Sequence, residues 1–304
     1  MGLMALGDTV LRRVMLLQGG ASRRLVTSRG GIHYLDLPGH GGLPTTVVLH
    51  GLGTTAAPGW LFYRALAPSV RRIVAPELPG HGASDDLPEA RGLDSLFATM
   101  LEALDQVAGE SLILVGNSLG GGVALRYALE RPERVAALVL QSPAGAWMTE
   151  EELAAFAASF DLSSAWRAMG FLWRLFHRMP VYAPLIAGEV CAAFNRPAVR
   201  ALVTGARQGH LFAPEQLAAL RVPALLQWGE SERIMAPASL DYFRAHLPAH
   251  VVVERPRELG HAPYLEQPVA SARRIVAFLH GALGEPENLL GGAPLPAHVR
   301  ALPA

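Results

Sequence analysis

Residues 115–122 read VGNSLGGG, a single serine among four glycines. The run that leads into it, SLILV at 111–115, is apolar, as in a strand buried on both faces. The run that leaves it, LGGGVALRYALERP at 119–132, has helical spacing and closes on Pro132. Glycine costs roughly 0.5–1 kcal/mol against alanine inside either element, so the cluster marks a corner between a strand and a helix. Gly116-Asn117-Ser118-Leu119-Gly120 fits G-x-S-x-G at that corner. A serine there is held in a strained backbone conformation, and larger residues two positions away clash with the turn. The turn lifts the hydroxyl above the sheet edge, at a helix N-terminus that favours developing negative charge. Ser118 is the candidate nucleophile, with Gly121 and Gly122 available for close helix–sheet packing.

Outward from the corner, strand and helix patterns alternate. IHYLDL (32–37), TTVVLH (45–50), RRIVA (71–75), VAALVLQ (135–141), VPALLQW (222–228) and HVVVE (250–254) read as strands, with helical stretches between most of them. Such alternation implies right-handed crossovers and a parallel sheet covered by helices on both faces. The rhythm breaks between Pro143 and Glu215, where no strand pattern occurs. There TEEELAAFAASF opens with Thr149 and Glu152 at capping-box spacing. Leu153, Phe156, Ala157 and Phe160 mark one helix face, and Trp166, Met169, Trp173 and Phe176 mark another. The organisation predicted is an N-terminal helical extension at 1–29, an α/β core at 30–143 and 216–282, a helical cap at 144–215 and an irregular tail at 283–304.

A serine hydroxyl needs a base. Of eleven histidines, His261 lies in RELGHAPYLEQP, after the last strand pattern and before the last helix. That loop falls at the C-terminal strand edge where open parallel sheets place their ligand groups. His40 and His81 fall in Pro-Gly turns and His50 before a glycine loop, all read as ordinary. The base needs an orienting carboxylate. LLQWGESERIMAP follows a buried strand and supplies Glu232, with Glu230 as the alternative. Acyl transfer also needs oxyanion donors, and the backbone N–H groups of Leu52, in HGLGTT, and of Leu119 are the candidates.

Together these segments resemble the α/β-hydrolase superfamily. HGLG, ELPGHGASD, GNSLGG, WGESERI and GHAPYLEQP occur in that family's order and spacing, and the resemblance spans residues 30 to 282. It implies an eight-stranded, mostly parallel sheet flanked by helices, with a helical cap after the sixth strand. It also implies a nucleophile at Ser118, a base at His261, an acid in the WGESE loop and an oxyanion hole at Leu52 and Leu119. Two positions depart from the common pattern: Glu232 and Glu77 stand where aspartate is frequent. The implied activity is that of a serine hydrolase acting on a small-molecule carboxylic ester. Relatives with a GNSMGG-like elbow include hydrolases of carbon–carbon bonds in ring-fission products, and related folds also serve as non-catalytic receptors. Haloalkane dehalogenase and epoxide hydrolase chemistry need an aspartate where this chain has Ser118.

The large apolar side chains of the cap favour an apolar acyl group, with Trp147, Trp166, Trp173 and Phe176 as candidate pocket residues. Arg167, Arg174 and Arg178 are expected on a solvated face. Equal numbers of acidic and basic residues, 26 each, argue against a nucleic-acid binder, and no metal-ligand spacing occurs. No cofactor is expected. One cysteine, Cys191, excludes an internal disulfide and is expected as a buried free thiol. The N-terminus makes a poor secretory signal, and no apolar run reaches the roughly 18 residues of a membrane span. A cytoplasmic protein is therefore expected. Leu6, Val10, Val14 and Leu17 predict a short amphipathic helix packed on its own domain, with contact to a membrane surface as the other reading. Oligomeric state is not fixed by the sequence.

Overall fold

The computed structural model describes residues 2–86, 92–107, 109 and 111–284. Most of the expected tail at 283–304 lies outside them. Eight strands form one sheet: β1 (Ala21–Thr27), β2 (Gly30–Pro38), β3 (Thr46–Leu49), β4 (Arg72–Pro76), β5 (Leu112–Asn117), β6 (Val135–Gln141), β7 (Ala224–Gln227) and β8 (Val252–Glu254). Their order is β1-β2-β4-β3-β5-β6-β7-β8. β2 runs antiparallel to both β1 and β4, and the other neighbours pair in parallel. β5 is central, and its four apolar residues divide by alternation. Leu112 and Leu114 join the core beneath α3 (Gly92–Asp105) and α4 (Leu119–Glu130). Ile113 and Val115 join the core beneath α2 (Trp60–Leu66) and α12 (Pro268–Leu283).

The N-terminal segment differs from expectation in two ways. It is not wholly helical, because residues 21–27 form β1. That strand escapes a pattern search because it is a charged edge: Ser22, Arg23 and Arg24 face solvent, and Arg23 pairs with Asp36 at 2.8 Å. The helix itself, α1 (Leu3–Leu17), buries the opposite face from the one predicted. Leu6, Val10 and Leu17 are exposed, while Met15 is buried and Leu11 packs beside it. The reason is electrostatic. Glu77 is fully buried and must be compensated. Arg12 reaches it from α1, beside His33, and draws the charged side of the helix inward. Burial alone would raise the Glu77 carboxyl, but His33, the Ala83 N–H and Arg12 outweigh it and push it down to about 2.

Between β6 and β7 the described chain contains helices and no strand. They are α5 (Glu150–Ala158), α6 (Ala165–Leu175), α7 (Ala183–Phe194), α8 (Pro197–Thr204) and α9 (Pro214–Ala218). The capping box of α5 forms as its sequence predicts, with Thr149 and Glu152 satisfying each other's backbone N–H, worth about 1 kcal/mol for the cap alone. α6 and α7 pack face to face around Ala168, Phe171, Leu172, Ala183, Ala187 and Phe194. The face of α6 predicted from Trp166 and Trp173 is thus the outer one. The small residues Ala168, Ala183 and Ala187 let the two helices approach, and the tryptophans are left outside. Cys191 is half-buried, and its thiol donates to the Leu162 carbonyl at 2.9 Å. Among the described residues no helix is long and apolar enough to cross a membrane, and no cluster of three metal-ligating side chains occurs.

Candidate active site

The corner at Ser118 is built by backbone contacts. Ser118 has φ 53°, ψ −119°, a left-handed conformation that costs about 1–3 kcal/mol for a residue with a side chain. Three hydrogen bonds hold it there. Its N–H donates to the Gln141 carbonyl at 3.0 Å, and its own carbonyl accepts from Gly122 at 3.0 Å and Ala144 at 2.9 Å. A side chain at Gly116 would strike the Gly120 carbonyl, and one at Gly120 would strike the carbonyls of Leu49 and His50. These two glycines allow α4 to start directly over the ends of β3 and β5. Leu119 is the first residue of α4, so its N–H lacks an intrahelical acceptor.

The loop after β3 lies alongside. Gly51 approaches so closely that a Cβ there would be 3.2 Å from the Ser118 Cβ, which brings Leu52 to the serine. Two histidines that the sequence did not single out brace this loop. His81 Nδ1–H donates to the Pro79 carbonyl at 2.9 Å, leaving Nε2 to accept the Gly53 N–H at 3.0 Å. His50 Nδ1–H donates to the Gly51 carbonyl at 2.8 Å, and its Nε2 accepts the Leu78 N–H at 3.0 Å. Each ring must be neutral to accept an N–H. Burial, with His50 nearby, pushes His81 down to about 3, and burial lowers His50 as well.

His261 and Glu232 meet between the loops that follow β8 and β7. His261 Nδ1 and Glu232 Oε2 are 2.7 Å apart, with side chains only 4% and 3% exposed. The other carboxylate oxygen, Oε1, accepts the N–H groups of Ile234 at 2.6 Å and Met235 at 2.9 Å. Burial pulls the Glu232 carboxyl upward, but the charge and hydrogen bond of His261 and the Met235 N–H carry it below its ordinary value. Glu230, the alternative, faces solvent and sits 3.9 Å from Arg257. Among the described residues neither the Ser118 hydroxyl nor His261 Nε2 has a hydrogen-bond partner, so both atoms are free. Catalytic hydrogen bonds are often long without substrate and tighten in its complex.

Asn117 ties the two halves together and was missed in the sequence. Its amide donates to the Gln141 carbonyl at 3.0 Å and to the His261 carbonyl at 2.7 Å. Both partners are carbonyls, which fixes the nitrogen's orientation. The helical insert joins the same site. The His261 N–H donates to the Leu175 carbonyl at 2.9 Å. Glu266 accepts from the N–H groups of Gly260 and His177 at 2.7 and 2.6 Å, and His177 Nδ1 lies 2.6 Å from the Ser231 hydroxyl. The end of α6 is therefore stitched to the loops of both His261 and Glu232.

Of the four pocket residues predicted, Phe176 alone is buried, one residue after the Leu175 carbonyl. Trp166 is 84% exposed and Trp173 55%, on the outer face of α6, and Trp147 is half-exposed ahead of α5. Inside the insert lie instead Phe160, Phe171 and Phe194, whose rings pack at 4.8–6.0 Å between centroids. This cluster rests on Leu52 and Ile234, with Phe194 against Gly53. Phe160 was grouped with α5, but its contact with Phe194 is long-range and has no local signature. A groove of about 190 Å³ lined by Met15, Leu37, Trp60 and Tyr63 contains none of Ser118, Glu232 or His261. Chemistry, not concavity, locates the site.

The family described as the alpha/beta hydrolase family matches residues 46–274. A 2-hydroxy-6-oxononadienedioate/2-hydroxy-6-oxononatrienedioate hydrolase of Paraburkholderia phymatum is 39% identical over 132 residues, 42% of this chain and 42% of that protein. The chain spans only 28–42% of the length of six curated relatives, four such hydrolases and two dihydrolipoyllysine-residue acetyltransferase components of an acetoin cleaving system. Carboxylesterase YbfK of Bacillus subtilis is 27% identical over 263 residues, 85% of this chain and 88% of the esterase. Among solved structures, a membrane phospholipase A described as a bacterial virulence factor superposes with a TM-score of 0.77 at 26% identity, covering 92% of this chain and 94% of its own.

Proposed function

Because the chain belongs to the α/β hydrolase family, we propose that it is a serine hydrolase cleaving carboxylic esters of apolar acids through an acyl-enzyme. His261 takes the proton of Ser118 as its oxygen attacks the ester carbonyl. The N–H groups of Leu52 and Leu119 receive the oxyanion, at the N-terminus of α4. His261 then protonates the leaving alcohol and activates the water that releases the acid. Glu232 fixes the imidazole tautomer and stabilises the imidazolium. Glu232 accepts from Nδ1, which leaves Nε2 the lone pair that would take the serine proton.

One observation carries the reading: the buried 2.7 Å pair of His261 and Glu232, tied through the His261 carbonyl to Asn117, the residue next to a strained serine. The substrate class rests on the cluster of Phe160, Phe171 and Phe194 over Leu52, an apolar wall with Arg174 5.9 Å over the Phe171 ring but bonded to the Ser159 carbonyl. An apolar acyl chain fits such a wall, while a dienoate needs a cation for its carboxylate. The similarity to the Paraburkholderia hydrolase favours a second reading, cleavage of a carbon–carbon bond in a dienoate diketone. Fluorophosphonate labelling with mapping of the modified residue tests the site, and modification elsewhere than Ser118 overturns it. A panel of p-nitrophenyl esters of rising chain length beside a dienoate diketone separates the two substrate classes.

A further inference from the structure

The oxyanion donor at Leu52 lies in a loop with no regular structure: residues 50–56, HGLGTTA, are neither helix nor strand. The Leu52 N–H has no partner among the described residues. A donor kept for a transient oxyanion stays unpaired at rest, so its neighbours must hold it in place. His50 bonds the Gly51 carbonyl, and His81 bonds the Gly53 N–H. Beyond Gly53 the hold passes to α1. The Thr55 hydroxyl donates to Asp8 Oδ1, and the Ala56 N–H donates to Glu77 Oε1 at 3.3 Å. Arg12 joins the two carboxylates, through Nε to Asp8 and through Nη2 to Glu77. Thr55, Asp8, Arg12, Glu77 and Ala56 thus form a closed circuit that begins three residues after Leu52.

α1 is a firm base for that circuit. Asp8, Arg12 and Met15 share one face of the helix at i, i+4 and i+7, and Met15 is buried in the core. At the other end, Glu189 of α7 accepts the N–H groups of Met4 at 2.9 Å and Ala5 at 3.4 Å. The helix is therefore tied to the insert at its start and to the core at its end. It also lies ahead of the residues that the family matches, so this anchor is added to the shared part of the fold. Compensation of the buried Glu77 does not require Asp8. Arg12 supplies the opposite charge, and a second carboxylate on Arg12 competes for it. What Asp8 adds is the bond to Thr55.

We propose that Asp8 and Thr55, joined by Arg12, are positioning residues that set the Leu52 N–H of the oxyanion hole. They act through the backbone from 52 to 56 and do not touch the substrate. The catalytic consequence rests on the acyl transfer proposed above, while the contact itself does not. The test uses the full chain. Thr55→Val keeps the side-chain shape and removes the donor, and Thr55→Ser keeps the donor. A displaced oxyanion donor is missed most in the transition state, so Thr55→Val should lower kcat for a p-nitrophenyl ester by about tenfold, with KM within about twofold. Thr55→Ser should restore the wild-type kcat. Amide hydrogen exchange in peptides covering 50–56 should be about fivefold or more faster in Thr55→Val, with the rest of the chain unchanged. Asp8→Ala should show the same two effects, and Asp8→Ala with Thr55→Val together should lose little more than either alone. Unchanged exchange in Thr55→Val overturns the anchor. Faster exchange with unchanged kcat overturns the positioning role, as does an equal loss in Thr55→Ser. A rise in KM at constant kcat would place Thr55 against the substrate and overturn it too. A wild-type chain without ester turnover, or undiminished turnover in Ser118→Ala, sinks the proposed function instead, and the exchange measurement then decides on the anchor by itself.

Discussion

The corner at Ser118 and the helical insert above it are held together by different forces. At the corner nearly every contact is a hydrogen bond to a backbone carbonyl or a close glycine approach: the Ser118 N–H to Gln141, the Asn117 side-chain amide to His261, Gly120 under Leu49 and His50. In the insert the contacts are apolar side chains, Phe160, Phe171 and Phe194, on a scaffold of small residues. Hydrogen bonds fix positions to a few tenths of an ångström, as the chemistry of a nucleophile and its base requires. Apolar contacts fix volume and tolerate exchange. The two regions meet where α6 ends, and there the contacts change kind, to the carbonyl of Leu175 and the clamp of Glu266 on Gly260 and His177.

The largest effect expected is at the serine. Ser118→Ala should lower turnover of p-nitrophenyl esters by about 10⁶-fold in folded protein, checked by steady-state kinetics beside circular dichroism. Retained turnover would remove the corner from the chemistry and break the comparison at its root. Next comes the choice of acid. Glu232→Gln removes the charge that stabilises the imidazolium, and kcat should fall by about 10⁴-fold. Glu230→Gln touches only an exposed side chain beside Arg257, so kcat should stay within about twofold. The reverse ranking would reassign the acid.

The same contrast explains what the sequence disclosed. Glycine spacing and residue order are read along the chain, so Ser118, Leu52, Leu119, His261 and the Glu232 loop could be put forward as candidates without coordinates. The interior strands β2 to β7 were legible because buried strands are written as continuous or alternating apolar runs, and the edge strand β8 because its valines form such a run although they are half-exposed. β1 was not, since its exposed arginines are stabilised by Asp36 and Asp85, far along the chain. The orientation of α1 was hidden for the same reason: the partner of Arg12 is Glu77, 65 residues away. Trp166 and Trp173 were placed inward because large apolar residues usually are, but the contact between α6 and α7 selects small residues. Asn117 gave no local sign of its bond to His261, 144 residues on.

Asn117 therefore offers a sharper test of the corner than the glycines do. Asn117→Ala leaves the His261 carbonyl buried without its donor, a loss of about 1–2 kcal/mol. The thermal midpoint should drop by about 2–6 °C. If the bond positions the base, kcat should also fall by about tenfold with little change in KM. A fall in stability alone would make Asn117 a structural residue and confine the positioning role to Glu232 and Leu175.

The smallest effect concerns the loop that carries Leu52. His81 is neutral when folded, held down to about 3 by burial, while in the unfolded chain it titrates near the ordinary 6.5. Below pH 6.5 the unfolded chain binds the extra proton, so this group's contribution to stability is full above 6.5 and is lost as pH falls toward 3. At pH 5 the loss amounts to about 2 kcal/mol. Glu77 acts in a lower window, from about 4.5 down to about 2, and does not overlap at pH 5. His81→Gln can still accept the Gly53 N–H and donate to Pro79 but does not titrate. Urea unfolding at pH 7.5 and pH 5 should therefore show a decline smaller by about 2 kcal/mol in the variant than in the wild type. His50, also buried and lowered, contributes its own share in both proteins, so the difference isolates His81. An equal decline in the two would mean that His81 is already solvated or charged in the folded protein. The Gly53 N–H would then have lost its acceptor, and the loop beside Ser118 would be held by His50 on the Gly51 carbonyl and by the Ala56 N–H on Glu77.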